Sequence, residues 1–167
     1  MIYADNAATT QIADVAFEKM LPFLSEQYGN ASSQYSLGVK AKRAVENARH
    51  QVADAIGAKL SEITFTSGGS EANSWVLRGV AESRKGESIH IITSSIEHPS
   101  VLNACHTLEA LGTEVTYLPV GHDGVVSIER LKSAIRPNTR LVSVMLINNE
   151  IGTIQPIAEI GAFLFKR

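Results

Sequence analysis

Cysteine is nearly absent: Cys105 stands alone among 167 residues, which excludes an intramolecular disulfide and any thiolate metal cluster made by this chain alone. That usage fits the cytoplasm best. Missing as well is any apolar run approaching the ~18 residues that cross a bilayer. The run Val144 to Ile147 is broken at once by Asn148-Asn149-Glu150, and no membrane role is expected. Neither sign of charge is in excess, since the formal net charge is −2 and the five histidines are scattered. There is therefore no basic footprint for nucleic acid and no acidic tail. The opening Met1-Ile2-Tyr3-Ala4-Asp5-Asn6 lacks the basic-then-apolar pattern of a signal peptide, so it reads as mature sequence. Repeats and low-complexity linkers are absent too, with 5 prolines and 12 glycines spread as punctuation. With 44% hydrophobic residues, the chain has the composition of one ordinary globular domain.

What is present is a regular alternation of patterns. Ile12, Ala16, Met20 and Phe23-Leu24 recur at helical spacing and stop at Tyr28-Gly29-Asn30. A stronger helix runs from about Leu37 to Ile56, with Leu37, Ala41, Val45, Ala48, Val52, Ala55 and Ile56 on one side, and ends at Gly57. Strand and helix signals then take turns: strand at Glu62-Ile63-Thr64-Phe65, helix from Glu71 to Val80, strand at His90-Ile91-Ile92-Thr93, helix from Pro99 to Leu111. Glu114 to Leu118 reads as strand, Ser127 to Ile135 as helix, and Leu141 to Met145-Leu146 as a nearly all-apolar central strand. Ile157, Ile160 and Leu164 begin a further amphipathic helix. This order predicts an α/β fold, a mainly parallel sheet with helices on both faces.

Three polar clusters fall at the carboxyl ends of predicted strands, the edge where open α/β sheets hold their ligands. Thr66-Ser67-Gly68-Gly69-Ser70-Glu71-Ala72-Asn73 lies between strand and helix. Its glycines permit close backbone approach, and the free N–H groups of a helix start favour an anion. A plain Gly-rich turn capped by Ser70 fits the same residues. In Ile96-Glu97-His98-Pro99, proline suits the first helical position. His98 there could stack on a cofactor ring or move protons, or simply bond the backbone at a helix start. Asn148-Asn149-Glu150-Ile151-Gly152 offers amides to a ring substituent, or a turn, which asparagine also makes well.

Taken in order, the segments are far more specific than any one of them. Tyr3-Ala4-Asp5-Asn6-Ala7-Ala8-Thr9-Thr10, Gly29-Asn30-Ala31-Ser32-Ser33, the Phe65 to Asn73 loop, Glu97-His98-Pro99 and Asn148-Asn149-Glu150-Ile151-Gly152-Thr153-Ile154-Gln155-Pro156 carry the likeness. Together they closely resemble the pyridoxal-phosphate cysteine desulfurases of the iron-sulfur-cluster and nitrogen-fixation type, within the class V aminotransferases. The Ser-Gly-Gly-Ser-Glu loop looks like the group serving those assembly systems rather than the sulfur-mobilisation branch. The resemblance covers the whole chain and implies part of the large domain of the fold-type I pyridoxal-phosphate transferase fold. It implies one incomplete domain over residues 1–167, with 1–30 contributing to the substrate side.

The resemblance also implies roles. Gly69 and Ser70 hold the phosphate of pyridoxal 5'-phosphate, His98 stacks over the pyridine ring and assists proton transfer as the catalytic residue, and Asn149 bonds the ring hydroxyl. Asn6, Ala7 and Ala8 line the substrate side, and no metal is implied. L-cysteine becomes L-alanine, leaving a persulfide on a mobile enzyme cysteine whose sulfur passes to an iron-sulfur scaffold or another acceptor. Ala31 and Tyr35 depart from the proline and histidine expected in the Gly-Asn segment. Arg167 precedes the positions of the family's pyridine-pairing aspartate, cofactor lysine, mobile cysteine and substrate arginine. Cys105, in a predicted core-facing helix, is expected to be structural, and Lys85, Lys132 and Lys166 are expected on solvent faces.

The chain alone is therefore expected to be inactive, working as a homodimer or with a complementing C-terminal chain. The family strand before the phosphate loop pairs with one made later, so strand 62–65 is expected to be misplaced or to need that second chain. A related fold-type I aminotransferase or lyase is the alternative enzyme. The Asp-Asn-Ala-Ala-Thr-Thr opening and the Asn-Asn-Glu-Ile-Gly segment argue against it. A split gene product acting only through partner binding is the non-enzymatic alternative.

Overall fold

In the computed structural model, residues 2–83 and 86–165 are described; Lys85 and Lys166 lie outside them. The chain divides into two compact units, Met1–Phe65 and Thr66–Arg167.

The first unit carries two helices. Helix α1, Asp14–Ser25, starts with an acidic residue in its first turn and buries none of its side chains. Helix α2, Ser36–Ile56, ends where expected, with Gly57 in the left-handed region at φ 67°. Its apolar stripe is only partly covered, for Gly38, Ala41 and Ala53 are its buried residues.

The expected strand at 62–65 does not form. Residues Leu60–Glu62 make a short 3-10 turn, with Glu62 accepting from the Lys59 N–H at 2.7 Å. The Arg49 side chain of α2 donates to the Ile63 carbonyl and sits over the Phe65 ring, 5.1 Å from its centre. An arginine thus takes the carbonyl that a neighbouring strand would have used.

The second unit is the α/β layer. Helix α3 spans Gly69–Glu82, strand β1 His90–Ser94, helix α4 Pro99–Ala110 and strand β2 Glu114–Leu118. Helix α5 covers Ile128–Ala134, strand β3 Thr139–Ser143 and helix α6 Ile157–Leu164. The three strands are all parallel in the order β2-β1-β3, with Ile91 opposite Val115 and Leu141. The nearly apolar β3, expected to be central, lies at the edge of this sheet, and β1 is the strand buried along its whole length. Among the described residues β1 has a strand on either side, whereas β3 has one neighbour.

Alternation along β1 builds two cores. Ile91 faces Leu77 of α3 and Val101, Cys105 and Leu108 of α4. Ile92 faces the other way, onto Leu131 of α5 and Ile160 of α6. Helices therefore cover both faces, as the alternation predicted.

Candidate active site at the carboxyl edge of the sheet

Hydrogen bonding in α3 begins with the Ala72 N–H reaching the Gly68 carbonyl at 3.1 Å. The N–H groups of Gly69, Ser70 and Glu71 come before it and have no intrahelical carbonyl to meet. The N-cap position before α3 is Gly68, which has no side chain to offer, so the expected alternative of a Ser70-capped turn is not what forms. Gly68 is extended, at φ 163°, and a Cβ added at Gly68 or Gly69 would meet nothing within 4 Å. Neither backbone strain nor protein packing calls for glycine here, and the space in front of both residues is open.

The loop fixes itself from behind. Glu71 accepts from the Ser67 N–H at 2.5 Å, a bond that pulls its carboxyl below the ordinary range, and Thr66 Oγ1 donates to the Gly68 carbonyl at 3.1 Å. The Glu71 charge is thus turned onto Ser67, leaving the forward N–H groups and the Ser70 hydroxyl for an anion.

His98 caps α4, with Pro99 at the first helical position. Its Nδ1 accepts from the Ser100 N–H at 3.1 Å and lies 2.9 Å from the Ser100 hydroxyl. An Nδ1 that accepts a backbone proton places the neutral ring's own proton on Nε2. Ser100 Oγ in turn accepts from Asn73 of α3 at 2.9 Å. A chain of side-chain contacts therefore runs from α3 to the imidazole.

The two asparagines divide the remaining work. Asn148 is buried and makes the turn, its Oδ1 accepting from the N–H groups of Glu150 and Ile151 at 2.9 and 3.0 Å. Asn149 is exposed and lines a recess of about 290 Å³ with Glu97, His98, Pro99 and Glu150. A neighbouring recess of about 410 Å³ joins Ser70, Ser74 and Arg78 of α3 to His98 and Ser100. His98 is common to both. The glycine-rich loop therefore lies beside His98 although 62–65 forms no strand, because α3 packs along α4.

The other expected residues stand elsewhere. Asn6, Ala7 and Ala8 belong to the first unit, in an exposed turn where Asn6 Oδ1 accepts from Thr10 at 2.8 Å and Ala8 N–H reaches the Asp5 carbonyl at 3.2 Å. Cys105 has no exposed surface, and burial pushes its thiol up to about 11. Lys132 is half exposed on α5, 2.7 Å from Glu129.

Comparison with known proteins places the chain in a family. Residues 2–167 match the model of the family described as aminotransferase class-V. The chain belongs to that family. Within the class-V aminotransferases it is similar to the cysteine desulfurase IscS of Methanosarcina thermophila, with 52% identity over 96% of this chain and 40% of the relative. The IscS of Rickettsia prowazekii is 48% identical over 99% of this chain and 41% of its own length. Among solved structures, a NifS-like protein aligns with a TM-score of 0.94 at 41% identity, covering 97% of this chain and 44% of that one. A structure titled SspA in complex with cysteine aligns equally well, at 44% identity over 98% of this chain and 47% of that one. The chain thus spans about 40% of the length of the curated desulfurases and corresponds to their N-terminal portion. Pyridoxal phosphate is the cofactor of these class-V enzymes.

Two buried residues of this edge, Glu97 and Gln155, stand in the motifs quoted above but were given no role of their own from sequence. Glu97, 6% exposed, accepts from Ser94 Oγ at 2.6 Å and from the Met145 N–H at 2.9 Å. Gln155, also buried, accepts from the Val126 N–H at 2.9 Å and donates to the Gly124 carbonyl at 2.7 Å, pinning the end of the Asn149 loop. The available signal was a charged or amide residue inside a quoted motif. It marks polarity without showing that the side chain turns inward.

Proposed function

We propose that this chain is the cofactor-binding N-terminal part of a cysteine desulfurase, converting L-cysteine to L-alanine and handing the sulfur to an iron-sulfur scaffold or another acceptor. The supporting observation is the convergence of Ser70, His98 and Asn149 on two adjoining recesses with His98 between them. That donor set fits pyridoxal phosphate: N–H groups and a hydroxyl for a dianion, a flat imidazole for an aromatic ring, and an uncharged amide for a ring hydroxyl. The open space before Gly68 and Gly69 agrees with a phosphate brought close to the backbone.

The cofactor, when bound, supplies the electron sink for bond cleavage at the amino acid's α-carbon. The chain's own residues bind and orient it. Gly69 and Ser70 hold the phosphate, and Asn149 fixes the ring hydroxyl. His98, its Nδ1 held by Ser100, presents a ring face and a protonated Nε2 that can hold or move a proton. Asn6, Ala7 and Ala8 contribute to the substrate side. The wider reading places residues 1–167 in one incomplete large domain, in a cytoplasmic enzyme that works as a homodimer or with a complementing C-terminal chain.

The test is made on the full-length protein containing this segment. Ser70→Ala is expected to weaken pyridoxal-phosphate binding about tenfold, the effect of losing roughly 1.4 kcal/mol from a charge-assisted hydrogen bond. His98→Ala should lower kcat for alanine formation by about 10²-fold or more, as loss of a proton-transfer group does. A protein that shows no visible absorbance with pyridoxal phosphate and releases no sulfur from cysteine refutes the reading. Residues 1–167 alone are expected to turn over no cysteine.

A further inference from the structure

The pairing of β1 with β3 ends at Thr93 opposite Ser143. Beyond it no ladder pairs the two segments, one leading to His98 and the other to Asn149. Two buried side chains take over. From the first loop, Glu97 Oε1 accepts the Met145 N–H at 2.9 Å, while Ser94 Oγ holds the same oxygen at 2.6 Å. From the second, Asn148 Nδ2 donates to the Ile96 carbonyl at 2.9 Å. Each of these residues directly precedes one of the two proposed to meet the cofactor ring.

We propose that Glu97 and Asn148 are positioning residues, a reciprocal latch that sets the spacing between His98 and Asn149 and so the width of the slot for a flat aromatic ring. Glu97 is 6% exposed and Asn148 7%, and among the described residues no cation pairs with Glu97. Burying a carboxylate without a counter-charge is unfavourable, and an apolar side chain would fill the place more easily. What an apolar side chain lacks is the acceptor for Met145. Asn148 is similarly over-committed: its Oδ1 shapes the turn through Glu150 and Ile151 while its Nδ2 reaches across to the other loop. A ring slot depends on such fixed walls, since misplacement by an ångström is enough to lose productive geometry.

This inference rests on the cofactor site proposed above, and its test uses the full-length protein. Glu97→Leu removes the acceptor, Glu97→Gln keeps an oxygen in the same place, and Asn148→Asp keeps the turn acceptor while removing the donor to Ile96. Pyridoxal-phosphate affinity, the visible circular dichroism of the bound cofactor, and kcat and KM for L-cysteine are measured for each. Glu97→Leu and Asn148→Asp are expected to weaken cofactor binding by about tenfold or more, alter the visible dichroism, and lower kcat more than they raise KM. Glu97→Gln should restore both affinity and dichroism to near the wild-type values. Should Glu97→Leu fail to fold, Asn148→Asp decides on the same readouts. Wild-type affinity and dichroism in the folded variants, even with a lowered melting temperature, would overturn the latch and leave a purely structural pair. A wild-type protein that does not bind pyridoxal phosphate refutes the site and the latch together, whereas binding by wild type and variants alike refutes the latch alone.

Discussion

At position 98 the observed helix cap and the proposed chemistry are compatible, because they use different ring atoms. Capping α4 uses Nδ1 only, so the same hydrogen bond that starts the helix also directs the ring proton to Nε2. Sequence reading set capping and chemistry against each other because a motif names a residue, whereas the choice is made atom by atom. Cys105 was easier to read. Its neighbours Val101, Ala104 and Leu108 are buried with it on one side of α4. Burial, and then the nearby charges of Glu109 and Glu97, push its thiol up to about 11, so only about a thousandth of it is thiolate near pH 8. Iodoacetamide at that pH should leave the Cys105 peptide unmodified in the native protein and label it fully in urea, as read by mass spectrometry. Native labelling as fast as that of a free thiol would show that the α4 core opens readily or is not formed.

At the scale of the elements, the helices were legible where an apolar period was closed by a stop signal. Helix α2 is the clearest case, since a stripe from Leu37 leads to Gly57 in the left-handed conformation that the cap requires. Segment 62–65 shows the limit of that reading. Its β-branched and aromatic residues describe a strand, but a strand exists only with a partner, and here Arg49 supplies the bond instead. The centrality assigned to β3 fails for a related reason: composition reports burial, whereas order in the sheet depends on which neighbours are available.

Helix α2 also carries a constraint that no periodicity reveals. A Cβ at Gly38 would lie 2.4 Å from the Ser33 carbonyl oxygen and 2.6 Å from that of Asn30, both backbone atoms of the Gly29-Asn30-Ala31-Ser32-Ser33 segment folded onto the helix. Helix propensity alone would make Gly38→Ala favourable by ~1 kcal/mol. The clash should outweigh it, giving a net destabilisation of about 1–3 kcal/mol, as overpacking does. Denaturant unfolding followed by far-ultraviolet circular dichroism measures this, and a stabilised Gly38→Ala protein would mean that the segment is not held against α2.

Across the α/β unit as a whole, the proposed cofactor site and the titrating network fall at opposite edges of one sheet. The parallel sheet and its helical cover were inferable from alternation, but neither the strand order β2-β1-β3 nor the polar network at the amino edge was, because each depends on residues far apart in the chain. There His90, without exposed surface, lies between the hydroxyls of Thr139 and Thr116, each at 2.8 Å. Burial, then Arg136, lowers its pKa, with Glu114 opposing in part. Glu114 is itself held below the carboxylate range by hydrogen bonds from Ser88 and Asn138 and by Arg136.

Both depressed pKa values make acid destabilising, in two successive windows. Above the unfolded histidine value of 6.5, His90 is neutral in both states and its contribution is complete. As pH falls below that value, the unfolded chain takes up a proton that the folded chain refuses, and stability drops toward the folded pKa by at most about 1.4 kcal/mol per pH unit for one proton. Glu114 adds its loss only below the ordinary carboxylate value of 4.5, as pH falls through its depressed folded pKa. Urea midpoints should therefore show no loss from His90 between about pH 8 and pH 7 and a decline from about pH 6.5 downward. His90→Gln, which can still bond both threonines but cannot titrate, should reduce the first decline and leave the second in place. An unchanged first decline in that variant would assign it to another group.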